Sequence, residues 1–175
     1  KGIKRQYYKT LHLKRSWIKY LFGIKQESFQ RDYIDVLDGI LDFRYREILI
    51  DAIEKGERIL NNPQLEARVK KHFSKYPSNF KLLLFLDNHD TDRFLFHCKG
   101  DKSLLLEAIE FSCKWDKAFI LYYGTEQGMK NSITIFDGTA YADLRVREPM
   151  NWDMKKEETM YDSIAKMLKK KTDNQ

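Results

Sequence analysis

Proline and glycine are scarce in this chain, 3 and 8 of 175 residues, and they gather into no stretch that reads as a flexible linker. Cysteine is scarcer: Cys98 and Cys113 are too few for the disulfide framework of a small secreted domain, which favours a cytoplasmic protein with reduced thiols. No apolar run approaches the roughly 18 to 20 residues that a bilayer span requires, and no signal-peptide core follows the lysine-rich start, so no membrane association is expected. What is present is a chain 42% hydrophobic and 14% aromatic, rich enough in core-forming residues for an ordered globular unit.

The formal charge of +6 is unevenly placed. Residues 1–26 hold eight of the 32 Lys and Arg and none of the 26 Asp and Glu, so the remainder carries 24 cations against 26 acids. This basic segment also contains Tyr7, Tyr8, Trp17, Tyr20 and Phe22, a mixture able to hold phosphates and stack on bases. Leu13, Trp17, Tyr20 and Leu21 fall at helical spacing, however. A helix packed on the rest of the chain with its lysines in water is the commoner cause of such a stripe, and on that ground a nucleic-acid partner is not expected.

Leu82 to Leu86 is a run of five apolar residues, the length and character of a strand buried on both faces, and it stops at Asp87, Asn88, His89 and Asp90. Ala118 to Tyr123 is a second such run, ending in Gly124, Thr125, Glu126, Gln127 and Gly128. Tyr33 to Phe43 reads as a third strand, interrupted by acids and weakened by Gly39. Between the strands, Ile48, Leu49, Ala52, Ile53 and Leu60, then Leu65 and Val69 beyond the break at Asn61, Asn62 and Pro63, follow helical spacing. Leu104, Leu105, Ala108, Ile109 and Ser112 do the same, as do Met160, Ile164, Met167 and Leu168 near the end. Strands alternating with helices demand a parallel sheet, in which ligands bind at the carboxyl ends of the strands.

The wording and order of DGILDFRYREILIDAI (38–53), DNHDTDRFL (87–95), ILYYGTEQGM (120–129) and REPMNWD (147–153) resemble the second half of the catalytic barrel in the α-amylase family of glycoside hydrolases. The resemblance covers residues 33–168. It implies an α/β fold, a partial (β/α)8 TIM barrel comprising strands six to eight with their helices, in a single unit over residues 1–175. The family's nucleophilic aspartate and acid/base glutamate have no visible counterpart here, and 175 residues fall short of the about 250 of a complete barrel. The chain looks like half an enzyme, inactive alone, whose other barrel half belongs to the same natural protein, a partner chain or a swapped dimer.

By the same resemblance Asp90 is the third acid, stabilising the transition state without covalent attachment, and His89 donates hydrogen bonds to the same sugar. Asn88 supports the turn or the ligand, Arg93 reaches an outer sugar, Glu126 holds a cation or the substrate-side network, and Trp152 stacks on a sugar face. The implied substrate is an α-glucan or maltodextrin. No cofactor is implied for this chain, while calcium in the complete enzyme stays open. Three other readings stand beside this one. The Asn-His-Asp cluster merely closes a strand by turn hydrogen bonds; Asp87, His89 and Asp90 bind a metal, although alternate residues at a strand end point apart; or Asp90 and Glu126, on adjacent strands about 4.8 Å apart, form a catalytic pair of their own. A noncatalytic module that binds glucan, or nucleic acid through the basic segment 1–26, is the competing function. His12, His72 and His97 have no convergent partners in sequence and read as packing or surface residues.

Overall fold

A computed structural model of the chain describes residues 29–34, 36–154 and 160–173. The basic aromatic segment 1–26, and with it the choice between a packed helix and a base-binding arm, lies outside the described residues.

The frame is a three-stranded sheet in the order β1 (Gly39–Leu41), β2 (Lys81–Phe85), β3 (Phe119–Ile120), with both pairings parallel. Leu41 is the register partner of Leu83, Leu84 of Phe119 and Phe85 of Ile120. The sequence predicts longer outer strands. Tyr33 lies instead in a 3-10 helix, Phe29–Tyr33, and Phe43 opens a helix because Asp42 caps it, its carboxylate accepting from Tyr45 N at 3.0 Å. Gly39 has a different meaning from the expected weakness: a Cβ there would stand 2.4 Å from the Lys81 carbonyl, so glycine is what lets β1 approach β2.

Helices follow each strand. They are α1 (Phe43–Glu54), α2 (Pro63–Phe73), the short α3 (Phe94–His97), α4 (Lys102–Cys113) and α5 (Tyr161–Asp173). The expected break between α1 and α2 occurs at the residues that suggested it: Asn61 takes a left-handed φ of +54°, Asn62 caps Leu65 N at 3.0 Å, and Pro63 fills the first helical position. Leu60, expected to continue the first helix, lies in this connection.

Side chains alternate across β2, and its two faces meet different surroundings. Leu84 and Leu86 join Tyr45, Leu49 and Ala52 of α1, Leu65 and Val69 of α2, and Leu105, Ala108 and Ile109 of α4 in one buried core, with Ile164 of α5 at its edge. Inside this core the Tyr45 hydroxyl bonds Ser112 Oγ at 2.8 Å; because Ser112 spends its own proton on the Ala108 carbonyl, Tyr45 is the donor. Burial drives the Tyr45 phenol well above its usual range. On the opposite face Phe85 is covered by the edge of Phe43, but Leu41 and Ile120 are exposed.

His72 is a packing residue, with a partner that sequence does not show. Its Nε2 lies 2.8 Å from both oxygens of Asp42, a buried contact that ties the last turn of α2 to the end of β1. Thirty residues separate the two in sequence, and only the fold brings them together. Cys98 is buried and Cys113 half-buried, both as free thiols. Among the described residues no helix is long and apolar enough to cross a membrane.

Candidate functional site

The chain leaves the end of β2 as Leu86, Asp87, Asn88, His89, Asp90, Thr91, Asp92 and Arg93, and burial divides this stretch. Asp87 turns inward: one oxygen accepts from Phe94 N at the start of α3 and the other from Thr125 Oγ1 at 2.6 Å, in the loop after β3. Asp92 is a second inward acid, accepting from Asn131 Nδ2 at 2.7 Å, Thr134 Oγ1 at 2.7 Å and Ile135 N at 2.8 Å. Beneath both lies Arg46 of α1, which donates to the carbonyls of Leu86 and Asp92. Burial lowers the Arg46 guanidinium from its ordinary pKa while the negative charges of Asp87 and Asp92 oppose that shift.

Arg93 is only 1% exposed. Its guanidinium donates to the Tyr123 carbonyl at 2.6 Å and the Val146 carbonyl at 3.1 Å, and lies over the ring of Tyr122, 4.4 Å from its centroid. The expectation that Arg93 reaches an outer sugar is therefore corrected. The side chain is spent on joining the loops after β2 and β3, because those loops offer backbone carbonyls that would otherwise be buried without donors.

His89 and Asp90 turn outward, with side chains 57% and 58% exposed. His89 Nε2 stands 3.3 Å from Asp90 Oδ1, and Arg147 Nη2 stands 3.5 Å from the same oxygen. Arg147 also donates from Nε to the His89 carbonyl at 3.2 Å and pairs through Nη1 with Asp143 at 3.2 Å. Asn88 underlies the pair: its Oδ1 accepts from Asp90 N at 3.0 Å and Thr91 Oγ1 at 2.8 Å, which braces the turn. Its buried Nδ2 has no hydrogen-bond partner among the described residues.

Glu126 is half-buried in the turn after β3, and its carbonyl accepts from Met160 N at 2.8 Å. No hydrogen bond or ion pair among the described residues joins its carboxylate to His89 or Asp90. Gly124 and Gly128 both take positive φ, +80° and +74°, and allow that turn. Trp152 is 82% exposed; its neighbour Asn151 is held by Gln127, which donates from Nε2 to the Asn151 carbonyl at 2.9 Å and accepts from Asn151 N at 3.3 Å. Among the described residues no three His, Cys, Asp or Glu side chains gather as a metal-ligand set.

The α-amylase catalytic-domain model matches residues 23–174. This chain belongs to the α-amylase family. Alpha-amylase 2 of Dictyoglomus thermophilum is 30% identical over 140 residues, which are 79% of this chain and 24% of that protein. Neopullulanase 2 of Thermoactinomyces vulgaris is 28% identical over 125 residues, 70% of this chain and 20% of that one. The chain thus spans about a quarter of the length of these relatives. In structure it resembles the ligand-free cyclic alpha-maltosyl-(1→6)-maltose hydrolase of Arthrobacter globiformis, with a TM-score of 0.60 and 22% identity, covering 78% of this chain and 30% of that one. That likeness bears on fold. The catalytic domain of the α-amylase family is a (β/α)8 barrel, and the three parallel strands with their helices are consistent with part of one.

The residues that sequence reading passed over are those that hold the site together: Arg46, Asp92, Asn131 and Thr134. Arg46 had one legible signal, a cation set among Tyr45, Ile48, Leu49 and Ala52 on the apolar stripe of a helix. Nothing in the sequence pairs Asp92 with a loop some forty residues away.

Proposed function

We propose that this chain forms strands six to eight of the barrel of a retaining, α-glucan-active glycoside hydrolase, with Asp90 stabilising the transition state and His89 bonding the same sugar. The observation that carries this reading is the selective exposure of these two residues at the carboxyl end of the central strand, between neighbours spent on structure. A carboxylate held there faces the positive charge that develops on a glucosyl ring as its glycosidic bond breaks. His89 donates to a ring hydroxyl, and Trp152 supplies a flat apolar face for a neighbouring sugar.

Such a reaction needs a nucleophile and an acid/base about 5 Å apart. In this reading both come from outside the chain, which therefore binds maltodextrin without cleaving it, and the remaining barrel half lies in the same natural protein, a partner chain or a swapped dimer. The exposure of Leu41 and Ile120 on one face of the sheet supports the need for further strands.

Incubating the purified 175-residue chain with maltotriose tests both halves of the reading. Shifts of the His89 and Asp90 amide resonances that saturate with sugar, together with no release of reducing ends, are expected. Steady release of reducing sugar that Asp90→Ala abolishes would overturn the assigned division of labour.

A further inference from the structure

Arg147 is a second arginine between the loops after β2 and β3, and its setting is the reverse of that of Arg93. Arg93 is enclosed and satisfied by backbone carbonyls and aromatic rings. Arg147 is solvent-exposed, and each of its three nitrogens reaches a different group: Nε the His89 carbonyl, Nη2 Asp90 Oδ1, and Nη1 Asp143 Oδ2. Asp143 lies one turn earlier, in the 3-10 helix Ala142–Val146, where it orients the guanidinium from behind.

The geometry points to Arg147 as a positioning residue that fixes the His89–Asp90 pair in the orientation that receives a glucosyl unit. The inference rests on the reading of His89 and Asp90 as sugar contacts. Its physical basis is the planar fork of the guanidinium, which holds a backbone carbonyl and a carboxylate at once, as an ammonium on a flexible stem cannot. An isolated surface ion pair adds little to stability, so the value of this one lies in restricting the two exposed side chains before a ligand arrives. Both His89 Nε2 and Arg147 Nη2 approach Oδ1 of Asp90. Oδ2 is then the oxygen presented to a sugar hydroxyl.

The chemistry separates this from a general structural role. Arg147 does not touch the hydrophobic core, so its loss is expected to leave thermal unfolding unchanged while loosening residues 89–91. In the full chain, Arg147→Gln should lower the amide order parameters of His89, Asp90 and Thr91, Arg147→Lys should restore them only in part, and Asp143→Asn should give a smaller loss than Arg147→Gln. Maltotriose titrations of the wild type, Arg147→Gln, Asp90→Asn and the double variant complete the test. If Arg147 acts through Asp90, its substitution weakens binding about tenfold, and the double variant binds no more weakly than Asp90→Asn alone. Strictly additive losses, or unchanged order in Arg147→Gln, would overturn the assignment. The order parameters need no sugar: a wild-type chain that binds no maltotriose sinks the proposed function, while the amide dynamics still decide the role of Arg147.

Discussion

Within seven residues, Asp87 to Arg93, the chain carries three acids and an arginine that sequence alone cannot tell apart, and the fold gives them opposite uses. Asp87, Asp92 and Arg93 are buried, with their polar atoms spent on Phe94, Thr125, Asn131, Thr134, Ile135, Tyr123 and Val146. Asp90, with His89 beside it, stays in water and shares one oxygen with an arginine from the next loop. The difference teaches that the foundation and the working edge of such a site are built from the same residue types. What separates them is whether the polar atoms are already answered by the protein.

The sharpest way to break this comparison is Arg93→Met. It leaves two loop carbonyls without donors and removes a charge from between two tyrosine rings, at a cost of about 3 kcal/mol or more in urea unfolding. Asp92→Ala comes next. It releases three donors at once and should destabilise by about 2 to 3 kcal/mol, with the amides of residues 131–135 losing protection from hydrogen exchange. Asp90→Asn, by contrast, should change stability by no more than about 0.5 kcal/mol, because its carboxylate is exposed, and should nevertheless weaken the response to maltotriose. An equal loss of stability in Asp90→Asn and Asp92→Ala would erase the distinction.

Trp152→Ala refines the outward half. At 82% exposure the ring contributes little to the fold, so the unfolding midpoint should stay put while maltotriose affinity drops by about fivefold, the value of one aromatic stack. The smallest effect belongs to Asp137, an exposed acid that is nonetheless structural. Bonds from the Thr139 hydroxyl and amide, then Arg145, lower its pKa to about 2. Because the folded value lies below the ordinary 3.8, its contribution is complete above about pH 4 and fades as the pH falls toward 2. Nuclear magnetic resonance of residues 134–145 should show order lost across that window, and Asp137→Asn should remove the pH dependence.

The parts legible from sequence were those that local physics decides. The apolar run at 82–86 had to be a buried strand, Asn61, Asn62 and Pro63 had to end one helix and begin another, and the polar cluster after the run had to lie at a strand's carboxyl end. The outer strands were shorter than their composition suggests, because Asp42 captures Tyr45 N and starts α1 early, and because β3 has only β2 to pair with among the described residues. Arg93 shows the limit. A lone arginine after a polar cluster carries no mark of whether carbonyls or sugars will meet it, and the answer came from residues 123 and 146. His72 and Asp42 make the same point away from the site.

The parallel pairing of all three strands, the first lying flush along Lys81 because Gly39 carries no side chain, gives the sheet a single direction of travel. Any strand added to either free border in the same sense must finish on the side where His89 and Asp90 stand, so each newcomer would bring its own terminal loop to one shared mouth, and a group arriving with the opposite sense would be delivered to the far end, out of reach.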